Sequence, residues 1–214
     1  MTRPHLLGGW RIEVTVRPGV PRVLPGTAVA RVVAAALAAA AAPRPAAIAV
    51  VLTDDTELAE LNVTHLGHEG PTDVLSFPLL PPQAFPPHEG GPLSGPSLGG
   101  GAATPHSAAP FVLPPRSRLH LGDIAVSVER ARAQAAEGRG GQTSDVRWSP
   151  ADELRLLLTH GTLHVCGWDH ADKVEEAAMR ALERRLLGAA GDPGRVGDLG
   201  AAEHQGAAGD SGGA

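Results

Sequence analysis

His160-Gly161-Thr162-Leu163-His164-Val165-Cys166-Gly167-Trp168-Asp169-His170 spaces three imidazoles so that folding can turn them into a metal site. If residues 154–166 form a helix, His160 and His164 stand at i and i+4 and leave the same face about one turn apart. Gly167 then stops the helix. A glycine there can take the left-handed conformation that closes a helix, and the chain turned back by it can bring His170 to the same point. Three neutral nitrogen donors suit one Zn2+ ion and leave a fourth position for water, which is the arrangement of a catalytic site. One or two of these residues could instead be buried helix histidines with satisfied hydrogen bonds. Three at this spacing around a helix-stopping glycine favour metal, so His160, His164 and His170 are the expected ligands.

The surrounding residues support a buried ligand helix. Ser149 can cap its start, Pro150 takes the favoured first position, and Asp152 can return the capping bond. Leu154, Leu156, Leu157, Leu158, Leu163 and Val165 make it apolar nearly all round. Cys166 lies two residues after His164, roughly on the opposite side of a helix, and reads as a small buried hydrophobe and not as a fourth ligand. Asp169 is a candidate acceptor that holds a ligating ring in one tautomer, or else a turn cap. The spacing matches the long zinc-protease signature His-Glu-x-x-His-x-x-Gly-x-x-His except at position 161, where glycine replaces the glutamate that serves as general base. Peptide hydrolysis by that mechanism is therefore not expected.

Working outward, Trp10–Val16 alternates strictly and reads as a strand, with Trp10, Ile12, Val14 and Val16 facing a core. Thr27 can cap an alanine-rich helix that Pro43 must end. Ala46–Leu52 is a short apolar run suited to a buried strand. Asp54 and Glu57 resemble a capping pair for a helix that Gly67 and Gly70-Pro71 terminate, and residues 73–77 read as a further strand. Leu119–Val128 changes alternation phase at Gly122, which suggests a bulge. Arg130–Glu137 and Glu175–Leu187 read as amphipathic helices, with Met179, Leu182, Leu186 and Leu187 inward. The fold class expected is a single α+β domain with a small mixed sheet of about four strands and about five helices, the central helix carrying the ligands. Its boundaries are a flexible N-terminus at 1–9, the domain at 10–188 and a disordered tail at 189–214. Within the domain, residues 79–117 are crowded with proline and glycine and read as a disordered insertion or a flap, with Phe85 and Phe111 its only large side chains.

Composition narrows the function classes. The chain has 214 residues, one cysteine and a net charge of −5. One cysteine forbids an intrachain disulfide and fits a reducing cytosol, so a cytoplasmic location is expected. The first nine residues show no secretory signal, and the alanine stretch 28–42 is too short for a bilayer and contains Arg31, so no membrane partner is expected. The negative charge does not resemble a general nucleic-acid binder. It is unevenly spread, however: residues 116–147 hold six arginines against four acids. A local basic face is as compatible with that as a solvated surface of mixed charge.

Three stretches, in order, carry a resemblance: Leu61-Asn62 with Pro71-Thr72-Asp73-Val74-Leu75-Ser76-Phe77-Pro78, then Leu121-Gly122-Asp123-Ile124, then the three-histidine stretch. Together they resemble the YbeY family of bacterial ribosomal-RNA maturation endoribonucleases over roughly residues 10–188 apart from the insertion. The resemblance implies a zinc-dependent, single-strand-specific endoribonuclease acting in small-subunit ribosomal-RNA 3′ end maturation and ribosome quality control. Its partners would be ribosomal RNA and ribosomal particles, with no DNA expected. It also implies that the strand holding Asp73 and Ser76 borders the cleft; Asp73 as a base and Asp73 as a structural hydrogen-bonding residue stand as alternatives. Members of the family close the Leu-Asn helix on an aromatic residue and an arginine implicated in RNA cleavage. Here those positions are His65 and Leu66, so no catalytic residue is carried over. A metal-binding ribosome-assembly factor without nuclease activity, and another zinc hydrolase acting on a small ester or amide, are the other functions this pattern allows.

Overall fold

The structure, a computed structural model, describes residues 2–70, 72–89, 91, 118–137, 148–170 and 172–190. Of the segments expected to be disordered, 79–117 and 189–214, residues 90, 92–117 and 191–214 lie outside this set, whereas 79–89 belong to it and contrary to expectation include a 3-10 turn (Pro82–Ala84) and the buried Phe85. Residues 2–7, expected to be flexible, form strand β1 (Thr2–Leu7), paired antiparallel with β2 (Trp10–Val16). Their link is the two-residue turn Gly8-Gly9, with φ of 58° and 92°. Positive φ at both central residues is what a tight hairpin of the correct twist requires, and two glycines supply it without steric cost. Pro4 is tolerated because β1 is the edge strand of the sheet.

β2 pairs in parallel with β3 (Ala46–Thr53), and β3 in parallel with β5 (Leu119–Ser127). β4 (Val74–Pro78) closes the other edge antiparallel to β5, giving the order β1-β2-β3-β5-β4. Among the described residues the sheet thus has five strands, the additional one being β1. The expected irregularity at Gly122 is present as a register shift between β3 and β5, with a φ of 154°. A Cβ on Gly122 would stand 2.4 Å from the carbonyl oxygen of Phe77, so the approach of β4 to β5 admits only glycine there.

Among the described residues, five α-helices complete the α+β domain: α1 (Gly26–Ala39), α2 (Asp55–Leu66), α3 (Val128–Glu137), α4 (Pro150–Val165) and α5 (Lys173–Ala190). α1 starts one residue before Thr27, with Pro25 at its cap and no side-chain capping bond. It ends short of Pro43, where Ala41 turns left-handed with φ 48° and Ala42 N–H donates back to the Leu37 carbonyl. α2 begins as expected, the Asp54 side chain accepting from Glu57 N–H. The Glu57 carboxylate does not return the bond; it takes the Arg17 guanidinium instead. α5 runs past Gly188, where it was expected to stop.

The core follows from strand parity. Ile124 and Val126 of β5 point into the main cluster with Trp10, Ile12, Ile48, Val50, Val29, Leu37, Leu154, Leu158 and Leu163, while Ala125 points to the other face, where Leu58 of α2 and Leu75 meet it. α4 packs against α1, α3, α5, β4 and β5 at once, as its all-round apolar pattern demands. Each fully buried leucine along it stabilises the domain by about 1.5–3 kcal/mol relative to exposure. No helix among the described residues is long and apolar enough to cross a membrane.

Candidate active site

α4 is fixed at both ends. Ser149 accepts from Asp152 N–H at 3.2 Å while the Asp152 carboxylate accepts from Ser149 N–H at 3.1 Å, a reciprocal capping box with Pro150 behind it. Burial pushes the Asp152 carboxyl up, but the Ser149 bonds and Arg155 outweigh it and hold it below the usual carboxylate range. At the far end Gly167 takes φ 83°; its N–H donates to the His164 carbonyl and Trp168 N–H to the Leu163 carbonyl. This pair of bonds is the Schellman closure, and it turns the chain so that residues 168–170 run back beside the helix.

Glycine at position 161 has a packing cause. A Cβ there would meet Val74 Cγ2 at 2.9 Å, Ile124 Cγ2 at 3.0 Å and Ser76 Oγ at 3.1 Å. α4 therefore lies on β4 and β5 at a distance that only glycine permits, in the position where the zinc proteases carry their glutamate. Ser76, expected at the cleft, is part of this joint: its hydroxyl donates to the Gly161 carbonyl at 3.0 Å.

The sheet-bound helix and the returning loop bring His160, His164 and His170 together, one ring nitrogen of each lying within 4.8 Å of the others. Nε2 of His160 and Nε2 of His164 are 3.0 Å apart. Two nitrogens bound to one tetrahedral zinc at about 2.0–2.1 Å would stand about 3.3 Å apart, so a few tenths of an ångström of side-chain rotation would complete such a site. Burial, then the neighbouring His160 and His170, lower the His164 pKa to about 4, so its imidazole is neutral at pH 7 and offers a lone pair. His160 Nδ1 lies 2.8 Å from Oε1 of Glu183, whose side chain is only 5% exposed. A carboxylate there assigns the proton to Nδ1 and leaves Nε2 free to face the other two rings. The donor set, the neutral His164 ring and the orientation that Glu183 gives His160 all fit a zinc ion.

Glu183 is the residue that sequence reasoning missed. It sits one turn beyond Met179 on the inward stripe of α5, and a charged residue on a buried stripe was the available signal. Asp169, a candidate either to hold a ligating ring or to cap the turn, contacts backbone: its Oδ1 accepts from His170 N–H at 2.7 Å, and its own N–H donates to Glu175 Oε1 at 2.8 Å. Cys166 is buried in apolar surroundings that push its thiol up to about 12, and it is not among the clustered donors.

His160 and His170 open into a cleft of about 450 Å³ lined also by Asp73, Gln134, Glu153, Leu156, Leu157, Glu176, Met179, Arg180 and Glu183. Asp73 is held there by Gln134 Nε2, which donates to its Oδ2 at 2.8 Å. Arg180 is the only lysine or arginine that the described residues contribute to this lining. His65 packs edge-on against Phe77, and Leu66 is 49% exposed; neither lines the cleft.

Comparison with known proteins gives a consistent set. The family model described as "Endoribonuclease YbeY" matches residues 25–191. A protein of that name from Roseiflexus castenholzii is 36% identical over 181 residues, 84% of this chain and 92% of its own length. Another from Chloroflexus aurantiacus is 35% identical over 185 residues, 86% of this chain and 97% of its own. A third, from Salinispora tropica, is 39% identical over 142 residues, 66% of this chain and 73% of its own.

Proposed function

The chain belongs to the YbeY family of endoribonucleases, and we propose that it cuts single-stranded RNA in the cleft beside His160 and His170, with one zinc ion as cofactor. The observation that carries this is the convergence of three imidazole nitrogens within 4.8 Å at the edge of a cleft, one ring oriented by a buried carboxylate. His160, His164 and His170 would hold the ion. When bound, zinc supplies Lewis acidity, polarising a phosphoryl oxygen and acidifying water.

The remaining steps belong to the chain. Glu183 keeps the His160 proton on Nδ1, so the ring presents a lone pair on the cleft side. Arg180, which pairs with Glu176 one turn away on the exposed side of α5, is the cation that the described residues offer to a phosphodiester in the cleft. An exposed i, i+4 pair is worth only about 0.3–0.5 kcal/mol, so the guanidinium can exchange Glu176 for phosphate at little cost. Asp73 lines the same space and would receive a proton there, a role supported by the bond that Gln134 donates to its Oδ2. A cleft open to the surface and lined by His160, His170 and Arg180 supports the reading that an unpaired strand is the substrate. The substrate is ribosomal RNA: the enzyme acts in the cytoplasm on ribosomal particles, in 3′ end maturation of the small-subunit RNA and in ribosome quality control.

The test is cleavage of a ribosomal-RNA precursor with single-stranded ends, against a fully paired control, by the wild-type protein and by His160→Ala. Cleavage of the unpaired region alone, lost in the variant, is the expected result. A folded wild-type protein that carries zinc and joins ribosomal particles without cutting would instead make it an assembly factor. Cleavage of small esters or amides but not of RNA would make it a different zinc hydrolase.

A further inference from the structure

Two of the three histidines ride on a buried helix, but His170 sits on an exposed loop, and the segment that steadies this loop comes from the start of the proline-rich insertion. Pro82–Ala84 forms a short 3-10 turn that lays Pro82 against Gly167, where a Cβ would stand 2.9 Å from Pro82 Cα. Phe85 follows and is buried in the main core. His88 then stacks on Trp168, ring centroids 3.9 Å apart and planes 12° from parallel. Its Nε2 lies 2.7 Å from Glu175 Oε1, with the two side chains 13% and 5% exposed. The same Glu175 oxygen accepts the Asp169 N–H, and Asp169 in turn accepts the His170 N–H. Gly91 closes a turn over His88, where a Cβ would stand only 2.6 Å from Nε2, so the ring fills the space that the glycine leaves.

We propose that His88 is a positioning residue for the metal site: by stacking on Trp168 and bonding Glu175 it clamps the loop that presents His170. The inference rests on the zinc reading above and adds to it a role for the insertion's first limb. Without the clamp, His160 and His164 stay in place on α4 while residues 168–170 gain freedom, and the third donor must be ordered each time an ion binds. That cost appears in ion affinity before it appears in the fold, because the loop hydrogen bonds lie outside the main core.

The experiment measures zinc affinity by chelator competition, and the visible absorption of the cobalt-substituted protein, for the wild-type chain, His88→Ala and His88→Phe. His88→Phe retains a stacking ring without the bond to Glu175, so it preserves packing if His88→Ala folds poorly. The expected result is about tenfold weaker zinc binding in His88→Ala, the scale seen when partners of ligand-bearing groups are removed. A smaller loss is expected in His88→Phe, with an altered cobalt spectrum in both and unchanged far-ultraviolet circular dichroism. Equal zinc affinity and identical cobalt spectra in all three proteins would overturn the clamp while leaving the three-histidine site standing. A wild-type protein that binds neither metal would overturn both.

Discussion

Gly161→Ala separates two opposing effects on α4. Alanine is favoured over glycine inside a helix by about 1 kcal/mol, so helix propensity alone predicts stabilisation. The contacts predict the opposite sign. The added methyl would lie 2.9 Å from Val74 Cγ2, 3.0 Å from Ile124 Cγ2 and 3.1 Å from Ser76 Oγ. Val74 and Ile124 are β-branched and stiff at χ1, and Ile124 is fully buried, so neither can turn aside. The helix must retreat from the sheet, lengthening the Ser76–Gly161 bond, and overpacking of this kind costs about 1–3 kcal/mol. The balance is a net loss of about 1 kcal/mol, or a fall in melting temperature of about 2–4 °C for a domain of this size. Because His160 is the adjacent residue, zinc affinity should fall as well. Thermal unfolding of metal-free wild-type and variant proteins reads the sign directly. A melting temperature equal to or above that of the wild type would refute the packing argument. Gly161→Glu, which restores the protease carboxylate, should give no peptidase and a protein that does not fold stably.

Glu183→Ala should weaken zinc binding by about 10–100-fold, and Glu183→Gln, which keeps an acceptor near His160, should recover part of it; equal affinities in all three proteins would remove Glu183 from the site. Arg180→Ala should raise KM for single-stranded RNA and flatten the dependence of log kcat/KM on log salt by about 0.7, as loss of one phosphate contact does. An unchanged slope would mean that Arg180 does not meet the backbone. The hydrogen bond from Arg17 holds the Glu57 carboxyl below its usual range against the opposing effect of burial. A folded-state pKa below the unfolded one gives stability that is present above about pH 4.5 and lost as pH falls through the folded value. Denaturant unfolding should therefore show wild type more stable than Glu57→Gln at pH 7, with the gap closing toward pH 3. A gap that does not change between those pH values would contradict this.

What the sequence revealed of the site depends on how local each constraint is. The i, i+4 pair and the glycine after it are fixed by helix geometry within eleven residues, so the approach of the three histidines was legible without tertiary information. The capping box at Ser149 and the bulge at Gly122 are equally local. Strand β1 was missed because Thr2–Leu7 has no alternation and contains Pro4; the usable signal was Gly8-Gly9, which makes a hairpin once Trp10 is known to start a strand. Ser76 and Gly161 carry no pattern of their own, since their roles exist only where α4 crosses β4. Glu183 and His88 are set by contacts across 23 and 87 residues of chain, beyond any periodicity. Phe85 and His88 lie among prolines and glycines that read as loop, and their burial depends on a surface that the rest of the fold first has to build.

The most direct test of the central claim is a zinc titration of chelator-stripped protein while cleavage of a single-stranded RNA is followed. The account predicts no cleavage without metal, activity rising to a plateau at one equivalent, and none at any zinc concentration in a folded His164→Ala variant. Full cleavage by the stripped protein, or wild-type activity in His164→Ala, would contradict it.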